Sequence, residues 1–305
     1  MLGALVVALV PAVLLIAFGG VLRRIRFLPD AFWPGAERLS YYVLLPALLA
    51  QGIATADLGA VPVGRLALCV MPAIVLVTAA LVLARPWLGI DDPAFTSVVQ
   101  GAIRFNTYVG LSLAVELYGP PGLALAAVSN ALIVPTVNVA CALIFARYGA
   151  VRVGLGTALV RAALNPLVLG CLAGAALQLL GLRLPAGLDA TVRALGSASL
   201  PLGLLCVGAA FDPGAIGVGR RAAFIATLAK FVGMPVAVAL LVRLTGLSGP
   251  PATVAVLFAT LPTASSAYIM ARQLGGDAPL MAGVVALQTM LAAGAIPAAL
   301  LLLAG

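Results

Sequence analysis

Ten apolar stretches, each long enough to cross a hydrocarbon core of about 30 Å, limit what this chain can fold into more than any other feature. With 64% of residues hydrophobic and only 9% charged, a water-soluble fold would leave too much apolar surface uncovered. The class expected is an all-α polytopic membrane protein, because a lipid-exposed backbone must satisfy its own hydrogen bonds. The expected spans are 3–22, 39–54, 65–84, 93–117, 123–146, 161–180, 188–211, 222–244, 251–274 and 278–303. No basic segment precedes the first stretch and no small-residue cleavage pattern follows it, so it reads as a retained helix.

The net charge of +8 comes from scattered arginines without a run or motif, which fits membrane topology and excludes a nucleic-acid-binding reading. Cys69, Cys141, Cys171 and Cys206 lie inside apolar spans without paired spacing and read as packing residues. There is no histidine, so proton chemistry would have to use a carboxylate, and neither a metal site nor a cofactor is expected. An intramembrane enzyme lacks a nucleophile with its base, and a sensor lacks room for an output domain.

Prolines recur in almost every span. Pro11 and Pro166, Pro46 and Pro201, Asp57 and Asp212, and Gly59 and Gly214 are each 155 residues apart, and Met71-Pro72 is echoed by Met234-Pro235. This pattern predicts two five-helix repeats, 1–148 and 149–305, with the basic, Gly-rich stretch 147–160 between them. Five is odd, so the second copy enters from the opposite face, giving the inverted repeat of secondary transporters. The loops and flanks after odd-numbered spans carry Arg23, Arg24, Arg26, Arg38, Arg85, Arg147, Arg152, Arg161, Arg220, Arg221 and Arg272. The others carry Arg65, Arg183, Arg193 and Arg243, so both termini are expected on the non-cytoplasmic side.

Two stretches interrupt the apolar pattern at equivalent places. GAIRFNTYVG, 101–110, puts Arg104 inside the fourth span, and LPTASSAY, 261–268, interrupts the ninth. An arginine at that depth costs about 2.5–3.5 kcal/mol on insertion scales unless a cavity, partner or ligand receives it. Glu116 is twelve residues away, about 18 Å along a straight helix, and reads either as interfacial or as a charge or coupling group. Lys230, the only lysine, either takes part in charge or coupling or snorkels to the nearby face. Asn106, Thr107, Asn130, Asn138, Thr263, Ser265, Ser266 and Gln288 supply uncharged hydrogen-bonding groups in the fourth, fifth, ninth and tenth spans, either as ligands or as links between helices. A span unwound near the midplane presents helix-start N–H groups and a positive dipole end, and with Arg104 this favours a small organic anion. The low aromatic content, 6%, leans toward an aliphatic carboxylate, while Tyr108 and Tyr268 beside the breaks keep an aromatic acid open.

These motifs together resemble the auxin efflux carrier family, which includes plant PIN transporters and bacterial malonate-type carriers of the bile acid and auxin transporter superfamily. The resemblance rests on YYVLLPALLAQGIATADL in the second span, RFNTYVGLSLAVELYG in the fourth and Asn138 in the fifth. It continues with NPLVLGCLAGAAL, LPLGLLCVGAAFD, LAKFVGMP and LPTASSAYIMARQLGGD in the sixth to ninth. It implies ten helices: the first, second, sixth and seventh form a scaffold, often a homodimer in the bilayer, and the other six form a moving transport domain. The fourth and ninth helices would cross over beside the substrate, with Asn106 and Thr107 matching the family's first crossover and Pro262 its second. Where the family often has Gly-x-Pro, this chain has Gly110-Leu111-Ser112, so the fourth helix is expected to break at Gly110 and its polar neighbours. Bile-acid-type relatives use sodium. With no well-placed acidic ligand, sodium-independent transport is expected here, and a sodium- or proton-coupled symporter is the alternative.

Overall fold

The computed structural model describes residues 2–56, 59, 61–149, 156, 160 and 163–303. Asp57, Arg152 and Arg161, on which the repeat, the topology and the start of the sixth span were read, lie outside the described residues. Among the described residues every regular element is helical. The elements are α1 (Leu2–Arg24), α2 (Phe32–Leu39), α3 (Leu45–Ala54), α4 (Val63–Leu88), α5 (Asp92–Ile103) and α6 (Thr107–Tyr148). They continue with α7 (Pro166–Leu179), α8 (Ala186–Ala209), α9 (Arg220–Leu228), α10 (Met234–Thr245), α11 (Pro250–Ala259), α12 (Ser266–Leu274) and α13 (Ala278–Leu303).

Among the described residues six helical runs are long and apolar enough to cross a membrane, fewer than the ten expected stretches. The difference has local causes. Residues 92–148 carry the fourth and fifth stretches in one apolar run of 57 residues, parted at 104–106 into α5 and α6, and Gly119 (φ 61°, ψ −142°) bends α6 at the sequence Gly119-Pro120-Pro121-Gly122. The second stretch is split between α2 and α3 by a widened π turn, Ser40–Leu44, and begins earlier than expected, at Phe32. The sixth begins only at Pro166, because Asn165 adopts an extended conformation and its side chain accepts the Leu167 N–H at 2.9 Å. A second π turn, Ala229–Gly233, joins α9 to α10. Both π turns end two residues before a proline, Pro46 or Pro235. A proline ring clashes with the carbonyl one turn back, and widening the turn by a residue relieves the clash.

The chain divides into two compact units, each built from both halves of the sequence. The first holds residues 1–63, 107–134 and 163–210. In it α1 and α2 pack along α8, and α3 lies between α7 and α8. The α1–α8 contact needs Gly208, where a Cβ would collide with the Ile16 carbonyl; small residues let membrane helices approach this closely. Trp33, Ala36, Cys206 and Ala209 form a small buried cluster, and Arg23 donates to the Ala209 carbonyl at the end of α8. The Asn165 amide donates to the Tyr41 hydroxyl at 3.0 Å, tying the start of α7 to the π turn.

The second unit holds residues 64–106, 135–162 and 211–305. Here α5 packs on α9, α12 and α13, and α10 on α11. Asp91 and Asp277 cap α5 and α13 by accepting the Ala94 and Leu280 N–H groups, both at 2.9 Å. Asp212 accepts the Gly214 N–H at 2.9 Å, so the Asp-x-Gly spacing noted in the sequence is a side-chain-closed turn. Along α4, Leu66, Cys69, Ala73, Ile74 and Val77 are buried while Leu68, Val75, Leu76 and Leu83 are exposed. Leaving each such residue in water would forfeit roughly 1.5–3 kcal/mol. A helix apolar all round, half of it uncovered, belongs in lipid.

Candidate functional site

The fourth stretch breaks at Arg104–Asn106, between α5 and α6, with Arg104 in an extended conformation (φ −75°, ψ 154°). This corrects the expected break at Gly110: Gly110 is buried inside α6, in regular helix. The ninth breaks at residues 260–265, between α11 and α12, where LPTASS was expected to interrupt it. Within the second unit the two breaks meet. The Asn106 N–H donates to the Pro262 carbonyl at 2.8 Å.

Breaking α5 inside apolar surroundings orphans the carbonyls of its last turn, and these need partners. Two side chains supply them for Gly101. The Gln288 amide donates to the Gly101 carbonyl at 2.9 Å, and the Thr263 hydroxyl lies 2.9 Å from the same oxygen. The Gln288 side-chain oxygen accepts the Thr263 N–H at 3.0 Å and sits 2.7 Å from its hydroxyl. Thr263 and Gln288 are both fully buried. Their polar groups are thus engaged by the backbone of the crossing, which makes them pins of the break.

Arg104 is held differently. Its guanidinium is 3.4 Å from the Asn138 side-chain oxygen, 3.3 Å from the Ser266 hydroxyl and 3.5 Å from the Met270 sulfur, all neutral and all long. Its Nε is buried without a partner. The ion pairs among the described residues, Arg23–Asp30, Arg85–Asp92 and Arg193–Asp189, do not involve it. The positive end of the α12 dipole lies at Ser266, so a second source of positive potential stands beside the guanidinium. A half-buried arginine with only weak neutral contacts, at the start of a helix, is suited to receive an anionic group in bidentate fashion.

The other sequence-predicted residues fall as follows. Asn106, Asn138, Pro262, Ser265, Ser266 and Lys230 belong with Arg104 to the second unit. Thr107, Gly110, Glu116 and Asn130 belong to the first, where the Thr107 hydroxyl meets the Asn130 side-chain oxygen at 3.1 Å and Glu116 is exposed. Tyr108 is buried against Gly203 in the first unit, and Tyr268 is exposed in the second. Lys230 does not snorkel: it is completely buried in the π turn before Pro235. Met270 and Cys141 were missed as neighbours of Arg104. Met270 follows Ser266 by one helical turn, a spacing that could have paired them. Residues 150–300 match the family model described as membrane transport protein. No curated protein matches the chain.

Proposed function

Since this chain is a multi-pass membrane protein of the membrane transport protein family, that of the auxin efflux and PIN-like carriers, we propose that it moves a small organic anion, a carboxylate, by sodium-independent alternating access. The observation that carries this reading is Arg104: a guanidinium at the meeting point of two broken helices, with only long contacts to neutral groups. Asn106, Asn138, Ser265 and Ser266 are the further ligand contacts we propose beside it. Thr107 and Asn130 are proposed as further ligand contacts, and Thr263, Pro262 and Gln288 hold the crossing in shape. An auxin-like or a malonate-like acid would satisfy the arginine.

The movement we propose is that of an elevator. The second unit carries the anion past a scaffold built from the first, second, sixth and seventh spans, and the scaffold also serves as the homodimer contact. Two points support this division: the first unit gathers those four stretches, together with 107–134, and both broken stretches meet in the second. Ten crossings in two inverted repeats, with both termini on the non-cytoplasmic face, complete the reading. An anion leaving a negative-inside cell gains about 2.3 kcal/mol per charge per 100 mV, so export needs no co-ion.

The experiment is flux of labelled carboxylates through proteoliposomes under an imposed potential, with and without sodium. Potential-driven flux that persists without sodium is expected. Arg104→Ala should abolish it in protein that still elutes as a folded species, and Asn106→Ala should reduce it. Flux that requires sodium would replace this reading with the symporter. Unfolding by Arg104→Ala, together with full transport by Arg104→Lys, would make the arginine structural.

A further inference from the structure

The function proposed above gives Lys230 no task, yet its setting is specific. It is fully buried, its Nζ has no hydrogen-bond partner, and none of the ion pairs among the described residues involves it. Its π turn packs against α5, the helix that ends at Arg104. One turn earlier the two elements touch: a Cβ on Gly101 would lie 3.0 Å from the Ala226 Cβ. α5 stops at Ile103 and the π turn begins at Ala229, so Arg104 and Lys230 each stand within about one turn of that contact.

Arg104 and Lys230 therefore both lie within about one turn of the α5–α9 contact in the same unit, and no carboxylate among the described residues pairs with either. A buried ammonium without a counter-charge is among the costliest arrangements a protein can keep. Near the membrane midplane such a residue marks a ligand or ion path.

We propose that Arg104 and Lys230 form one two-cation subsite, and that Lys230 sets the valence of the anion, selecting a small dianion with one anionic group on each cation over a monoanion of equal size. This rests on the reading of Arg104 as the primary anion contact.

Succinate and its monoamide have nearly the same shape and differ by one charge, so they isolate the effect. Affinities of both are measured by titration calorimetry on the purified full chain and on Lys230→Gln, Lys230→Arg and Arg104→Gln. The wild-type chain should bind succinate at least tenfold tighter than the monoamide. Lys230→Gln should bring the two within threefold by weakening succinate alone, and Lys230→Arg should restore the preference. Lys230→Gln should also raise the melting temperature of the ligand-free protein, because an uncompensated buried charge is gone.

Equal wild-type affinity for the two ligands overturns the inference, as does a preference unchanged in Lys230→Gln. In either case Arg104→Gln would still abolish binding and the carboxylate-carrier reading would stand. Binding that survives Arg104→Gln removes that reading and this inference together. Should Lys230→Gln not fold, the wild-type ratio and Lys230→Arg decide alone.

Discussion

Gln288 and Thr263 both serve the Gly101 carbonyl, and this redundancy has a measurable signature. In Gln288→Leu the Thr263 hydroxyl, 2.9 Å from the Gly101 oxygen, keeps that carbonyl satisfied, while the Thr263 N–H loses its acceptor at 3.0 Å. An orphaned buried N–H costs about 1–3 kcal/mol. In Thr263→Val the Gln288 amide, also at 2.9 Å, keeps the carbonyl satisfied, so the loss is the hydroxyl alone, about 1 kcal/mol. In the double variant nothing covers Gly101, and one further orphan appears that neither single change creates. The double loss should therefore exceed the sum of the singles by roughly 0.6–2 kcal/mol, the range of hydrogen-bond energies inside membrane bundles. The assay is reversible unfolding in mixed micelles, read as a double-mutant cycle. Strict additivity, or a Gln288→Leu protein as stable as wild type, would refute the capping argument.

Two further predictions test the scaffold of the fold. Gly208→Val drives a branched side chain into the Ile16 carbonyl and should separate α1 from α8, costing more than the 1–3 kcal/mol of ordinary overpacking and lowering the melting temperature in detergent by several degrees. Asn165→Ala removes the α7 cap and the Tyr41 contact, so a loss of about 1–2 kcal/mol is expected in the same assay, with Asn165→Asp recovering the cap.

Much of this was legible because it is written in local chemistry. Apolar runs located the helices, the Asp-x-Gly spacing marked a real turn at Asp212, and the polar interruption at 261–268 lies where α11 ends. The break in the fourth stretch falls inside the interruption at 101–110 but away from Gly110, for a physical reason. Glycine is a local breaker, and Gly110 drew attention, but the helix parts at Arg104 because distant groups receive its open backbone: Pro262 takes the Asn106 N–H, and Thr263 and Gln288 cover Gly101. No window of sequence around Arg104 contains those partners. Lys230 was ambiguous for a related reason. Its distance from the helix start allowed snorkelling, and burial was decided by how the π turn at Pro235 packs on α5.

The crossing of the two breaks also carries a consequence for synthesis in the cell. The groups that close the first break lie 162 and 187 residues further along the chain than Gly101. At about 5–20 residues per second, the ribosome supplies them roughly 10–40 s after that glycine. For that interval the nascent fourth segment faces the translocon and lipid with open amides and carbonyls and an unaccompanied arginine. It needs shelter from water, from the insertion machinery or from a chaperone until the C-terminal helices arrive. Truncated chains ending before Thr263 should accordingly be held at the insertion site or degraded, because half of this transporter cannot close its own backbone.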